Sequence, residues 1–293
     1  MAAAYPSDTN VRRTDPLCIT RTSKGALCHA EQVRIITVLL AVAAVATGCA
    51  GTTLQEEAAS VEQLRVRVEE ELPHDNEAFT QGLELRDGIL YEGTGLVGRS
   101  TLRAGPPGER PELTAELPRP LFGEGITVVG DRVWQLTWQS GLAVEWDRDT
   151  LTERRRVPYQ GEGWGLCHQP EAGRLVMSDG SARLTFRDPR TFAVLGSVTV
   201  RADGREYDQL NELECVGGQI YANVWRSDRI LRIDPADGSV TAEIDASGLL
   251  TAAERDSADV LNGIAAVPGS DQFLLTGKLW PKMFRVTLVP ADG

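Results

Sequence analysis

Aromatic residues, histidines and long apolar runs are all scarce in this chain of 293 residues. Phe, Trp and Tyr make up only 6% of it, and there are three His. Those three, His29, His74 and His168, are scattered and form no ligand set, so no transition-metal signature is present. The five Cys include no C-x-x-C pair, which excludes zinc-ribbon and thioredoxin readings. There is neither a G-x-S-x-G nucleophile elbow nor a Gly-rich phosphate loop. Basic residues are the minority, 30 Lys+Arg against 42 Asp+Glu, for a net charge of -12. Nucleic acid, whose phosphates need clustered cations, is therefore not an expected partner. What remains, 42% hydrophobic and 25% charged, has too much apolar content for a disordered chain. The 29 Gly and 15 Pro point to many turns.

The first fifty or so residues read as a leader. Residues 33–48 (VRIITVLLAVAAVATG) place one Arg before an apolar run and small residues after it, with Cys49 next. That is the layout of a secretion signal, and the run falls short of the roughly 20 residues that a membrane span needs. Ala46-Thr-Gly-Cys49 resembles a bacterial lipobox, so Cys49 is the expected lipidation site and the mature N-terminus. Residues 1–32 are polar and do not look like the start of a signal, which makes Val33 the expected translation start. We read 1–48 as leader, 49–63 as tether and 64–291 as the folded catalytic domain, extracytoplasmic and lipid-anchored or secreted. Only Cys167 and Cys215 remain in that domain. Outside the cytoplasm they can pair, and two buried free thiols fit the sequence equally well.

A repeat runs through the rest. Phe79-Thr-Gln-Gly-Leu83, Phe122-Gly-Glu-Gly-Ile126, Gly163-Trp-Gly-Leu166, Leu210-Asn-Glu-Leu213 and Leu261-Asn-Gly-Ile264 share one pattern. Aligned on Gly82, Gly125, Gly165, Glu212 and Gly263, they recur at intervals of 43, 40, 47 and 51 residues. Each opens a strand-like stretch, followed by a Gly or Asp turn and three more short alternating strands. Four strands per unit of this length is the signature of a β-propeller blade. The expected fold is all-β: a five-bladed β-propeller. The strand Leu64-Arg-Val-Arg-Val68 would complete the last blade, which otherwise ends at Phe284-Arg-Val-Thr-Leu288 with only three strands. One helix-like stretch, 251–257, interrupts the pattern.

In such a fold the first strands line a central channel. Their openings would gather Gln81, Glu124, Trp164, Asn211, Glu212 and Asn262 near one mouth. Second-strand ends would add Trp138, Asn223, Trp225, Lys278 and Trp280. Trp134 and Trp146 read instead as packing residues.

The motifs Phe79-Thr-Gln-Gly82, Tyr91-Glu-Gly-Thr-Gly95, Phe122-Gly-Glu-Gly125, Leu136-Thr-Trp138, Glu162-Gly-Trp-Gly165, Ser178-Asp-Gly180, Leu210-Asn-Glu-Leu213, Ala222-Asn-Val-Trp225, Leu261-Asn-Gly-Ile264 and Thr276-Gly-Lys-Leu-Trp280 resemble, jointly and in order, the plant and bacterial type of glutaminyl-peptide cyclotransferase. The resemblance covers essentially all of 64–291. It implies a five-bladed propeller that converts the N-terminal glutamine of peptides to pyroglutamate and releases ammonia. It makes Glu124 the proton-transferring group, with Gln81, Asn211 and Lys278 as polar ligands of the reacting amide. Phe79, Phe122, Trp138, Trp164 and Trp225 become the wall around the glutaminyl side chain. No catalytic metal or other cofactor is implied, although the family often carries a structural divalent cation (calcium) in the channel. The expected partners are peptides or proteins with N-terminal Gln, acted on by a monomer. Two other readings fit the same residues: a non-catalytic peptide-binding propeller, and a calcium-dependent lactonase-type propeller using Glu124, Asn211 and Glu212.

Overall fold

The computed structural model describes residues 60–291. The expected signal segment, Cys49 and residues 50–59 of the expected tether lie outside them. The described chain is all-β apart from one helical turn. It runs through β1 (Glu62–Pro73), β2 (Thr80–Arg86), β3 (Ile89–Thr94), β4 (Thr101–Gly105), β5 (Leu113–Glu116), β6 (Gly123–Val129), β7 (Arg132–Thr137), β8 (Leu142–Asp147) and β9 (Glu153–Pro158). Next come β10 (Leu166–Gln169), β11 (Arg174–Met177), β12 (Arg183–Arg187), β13 (Val194–Thr199), β14 (Arg201–Ala202) and β15 (Arg205–Glu206). Then follow β16 (Leu210–Val216), β17 (Gln219–Val224), β18 (Arg229–Ile233), β19 (Val240–Asp245), α1 (Ala252–Arg255), β20 (Leu261–Ala266), β21 (Gln272–Gly277) and β22 (Lys282–Pro290).

β2–β5, β6–β9 and β10–β13 each form a four-stranded antiparallel meander. β16–β19 and β20–β22 belong to one eight-stranded sheet, ordered β16-β17-β18-β19-β1-β22-β21-β20. β1 joins its halves by pairing antiparallel with β22 and parallel with β19 over Glu62–Arg65. The strand therefore starts at Glu62, two residues inside the stretch expected as tether.

Burial falls from the first strand of each group to the last. β2 and β6 are almost wholly buried, whereas β5 and β9 are mostly exposed. The exposed strand β9 reads ERRRVP, and such a charged edge discourages pairing with other chains. The first strands lie against one another in sequence: β2 on β6, β6 on β10, β10 on β16, β16 on β20, and β20 back on β2. Apolar clusters fill the spaces between the groups they head. Tyr91 and Leu102 meet Val133 and Trp146; Trp134 and Leu136 meet Leu166 and Leu175. Val176 and Leu184 meet Leu210 and Ile220; Ile230 and Ile244 meet Leu261 and Phe273; Leu83 meets Ala265 and Leu274. Trp134 and Trp146 are core residues, as expected.

The motif glycines let these strands approach closely. A Cβ on Gly82 would lie 2.5 Å from the backbone nitrogen of Ile126, and one on Gly125 would lie 2.5 Å from the carbonyl oxygen of Trp164. Cys167 on β10 and Cys215 on β16 form a disulfide with Cα atoms 5.4 Å apart, closing 48 residues of sequence and pinning neighbouring groups together. The helix is shorter than the stretch expected from sequence. Thr251 caps it, with its side chain and Glu254 exchanging hydrogen bonds in a capping box. The small ribbon β14–β15 was not anticipated.

Candidate active site

The polar residues of the first strands sit where those strands break register. The pairing of β2 with β3 shifts between Thr80 and Gly82, and that of β6 with β7 between Gly123 and Ile126. β16 shifts between Leu210 and Leu213, and β20 between Leu261 and Ile264. Gln81, Glu124, Asn211 and Asn262 all fall within these irregularities. A bulge lets a strand re-aim a side chain that strict alternation would send elsewhere.

Glu124 is 5% exposed, and its Oε1 accepts a hydrogen bond from Gln81 Nε2 at 3.2 Å. Gln81 in turn accepts from Asn262 Nδ2 at 3.2 Å, which also donates to the Thr80 carbonyl at 3.0 Å. Burial pushes the Glu124 carboxyl well above the ordinary carboxylate range; the Lys278 cation opposes this, and the Glu162 charge adds to it. Lys278 is 2% exposed, with its Nζ 5.0 Å above the Phe79 ring. Burial lowers its pKa against the pull of Glu124 and Asp259. The Oδ1 atoms of Asn211 and Asn262 are buried without a hydrogen-bond partner.

Aromatic rings continue outward from Lys278. Phe79 meets Phe122 edge-on at 6.2 Å, and Phe122 meets Trp138 at 5.6 Å. Trp164 meets Trp225 edge-on at 5.5 Å. Glu162, to which the sequence reading gave no role, joins the two sets. Its Oε2 accepts the indole N–H of Trp138 at 2.8 Å and that of Trp164 at 3.0 Å, while Gln139 donates to its Oε1 at 3.0 Å. All nine side chains expected at the site thus share contacts or neighbouring strands. The available signal for Glu162 was an acid two residues before a motif Trp, in Glu162-Gly-Trp-Gly165.

Glu212, by contrast, works as a cross-link. Its two oxygens accept the backbone N–H of Leu83 at 3.2 Å and of Ile264 at 2.8 Å, tying β16 to β2 and β20. Glu214 likewise accepts from Ala266 N at 3.0 Å and Cys215 N at 2.7 Å. Among the described residues no group of three or more His, Cys, Asp or Glu side chains converges as a metal site. Glu212 and Glu214 are engaged with backbone amides and Glu124 with the Gln81 amide, so the side chains present fit a divalent cation poorly.

The chain is similar to known proteins along most of its length. A family model described as glutamine cyclotransferase matches residues 39–288. A glutaminyl-peptide cyclotransferase of Arabidopsis thaliana is 39% identical over 239 residues, covering 78% of this chain and 72% of that protein. The crystal structure of a Myxococcus xanthus glutaminyl cyclase superposes with a TM-score of 0.72 at 42% identity, covering 80% of this chain and 100% of that one.

Proposed function

The chain belongs to the glutamine cyclotransferase family and acts as a glutaminyl-peptide cyclotransferase, and we propose that it does its chemistry at Glu124 inside the ring of aromatic side chains. The substrate is a peptide or protein with N-terminal glutamine. Its α-amine attacks its own γ-carboxamide carbon, a new C–N bond closes the five-membered ring, and the old one breaks to release ammonia.

The observation that carries the assignment is a buried carboxylate, Glu124, held by Gln81 in the same interior as a buried lysine beside a Phe ring. A carboxyl group whose pKa is raised by burial gives up its proton less readily and is suited to both accept and donate one. Glu124 removes a proton from the attacking amine and later delivers one to the departing nitrogen. General acid–base catalysis of this kind contributes about 10²–10⁴-fold. Lys278 faces the oxyanion that develops on the amide oxygen. The unmet Oδ1 of Asn211 is an acceptor for the substrate's amide N–H, and Gln81 fixes the orientation of Glu124. The rings from Phe79 to Trp225 fold the flexible side chain toward closure, which lowers the entropic barrier. We route no step through a metal ion, and treatment with EDTA is expected to leave turnover unchanged.

We read the sheets as five blades around an axis. The cyclic order of the first strands and the five inter-sheet apolar clusters support this, with β1 as the outermost strand of the last blade. We further propose an extracytoplasmic monomer anchored through Cys49; the Cys167–Cys215 disulfide supports an oxidising compartment.

The test is Glu124→Gln. It should reduce ammonia release from a Gln-initiated peptide by about 10²-fold or more while thermal unfolding and peptide binding persist. Undiminished turnover in this variant would remove Glu124 from the mechanism.

A further inference from the structure

Arg187, on β12, is 6% exposed and has no carboxylate within ion-pair distance among the described residues. Its Nε donates to the sulfur of Met177 at 2.9 Å and its Nη1 to the Phe192 carbonyl at 3.1 Å. The guanidinium carbon lies 4.7 Å from the Phe192 ring centre and 5.2 Å from that of Tyr159. Its Nη2 meets no acceptor among the described residues. Nε and Nη1 are thus held by the protein, leaving Nη2 open to take an acceptor from a ligand.

The guanidinium lines a groove of about 490 Å³ between the β6–β9 and β10–β13 sheets. Glu162, whose side chain holds the indoles of Trp138 and Trp164, lines the same groove, as does Ser197 of the outermost strand β13. The groove therefore borders the aromatic residues of the site. Its two carboxylates are already engaged: Glu162 by three N–H donors, Asp179 by Ser181 and, at 3.7 Å, by Arg183. Arg187 alone has an unmet charge there.

We infer that this groove is a substrate subsite in which Arg187 binds the carboxylate of an acidic residue downstream of the N-terminal glutamine. The inference rests on the cyclotransferase site lying at the aromatic ring. The carboxylate supplies the acceptor that the Arg187 fork lacks, through a charge-assisted hydrogen bond. Recognition is a matter of binding, so it acts on KM.

The experiment measures ammonia release from Gln-initiated polyalanine peptides in which a single Glu is walked from position 2 to position 6, with Gln at the same positions as the neutral control. The expected result is one position, or two adjacent ones, where Glu raises kcat/KM by about tenfold over the control. Arg187→Met should abolish that preference and leave neutral peptides unaffected, whereas Arg187→Lys should keep part of it. Equal kcat/KM for Glu and Gln at every position in the unaltered protein overturns the inference. So does an Arg187→Met variant that loses activity on all peptides alike, since that is a packing role. Should Arg187→Met fail to fold, the peptide walk on the unaltered protein decides alone. Absence of turnover even with neutral peptides would count against the active-site assignment instead.

Discussion

Glu124 and Lys278 occupy the same desolvated space, and each is held there against its preference for water. Burial raises the carboxyl and lowers the ammonium, while each moderates the shift of the other. The acid limb of kcat/KM should therefore follow ionisation of Glu124 at a pH above the ordinary carboxylate range. Two substitutions move that limb in opposite directions. Lys278→Met removes the cation that lowers the pKa of Glu124, so the limb shifts to higher pH; loss of the oxyanion partner also costs about 10²–10³ in kcat. Glu162→Gln removes the anion that raises it, so the limb shifts to lower pH. The same change leaves a neutral amide oxygen, a weaker acceptor than the carboxylate, for the indole donors of Trp138 and Trp164, and kcat/KM falls about tenfold. pH–rate profiles of the two variants check this, since a purely structural role for Glu162 would lower the rate without moving the limb. Glu162 was hidden in the sequence because it acts through two Trp rings and belongs to no recognisable acid–base pair.

At the scale of the strand, the repeat was legible because three of its glycines, Gly82, Gly125 and Gly165, answer to a single steric demand, the backbone of the next first strand. Gly125 must admit the Trp164 carbonyl and donates its own N–H to it at 2.7 Å. Gly125→Ala drives a methyl group into that backbone oxygen, and β6 cannot retreat without disturbing Glu124. The variant should lose about 1–3 kcal/mol of stability by denaturant unfolding, along with most of its activity. The fourth repeat carries Glu212 where the others carry Gly, and here sequence reasoning reached its limit. A buried acid that bridges two backbone amides and a buried acid that moves protons look alike in one dimension. The bulges at Gln81, Glu124, Asn211 and Asn262 were also invisible, since an irregularity breaks the very alternation used to find strands. The motif residues could be placed at one end of their strands, but their convergence depends on these register shifts.

At the scale of the whole molecule, a column of acids stands along the first strands: Glu84 on β2, Glu124 on β6, and Glu212 and Glu214 on β16. Burial raises all four above the ordinary carboxylate value, Glu214 to about 8, and Glu84 and Glu214 also repel one another. Groups whose folded pKa lies above the unfolded value keep protons that the unfolded chain releases. Their stabilising contribution is complete below the unfolded value near 4.5 and is lost as pH climbs through the folded values. His74 acts in the same direction. Although burial alone would lower its pKa, Glu92 at 3.0 Å and the Trp280 carbonyl raise it, so its contribution fades above 6.5. The carboxylates with lowered pKa, Glu92 and the exposed aspartates, lose their contribution only in acid below the ordinary carboxylate values, outside this window. The midpoint of thermal unfolding should therefore fall from pH 5.5 to pH 8.5, in the same direction as the growing self-repulsion of a molecule that is acidic overall. Glu214→Gln, which keeps an acceptor for the Ala266 amide but cannot ionise, should flatten this slope and raise the midpoint at the alkaline end. A midpoint that rises with pH across the window would mean that these carboxyl groups are ionised in the folded molecule. The raised pKa on which the action of Glu124 depends would then be in question as well.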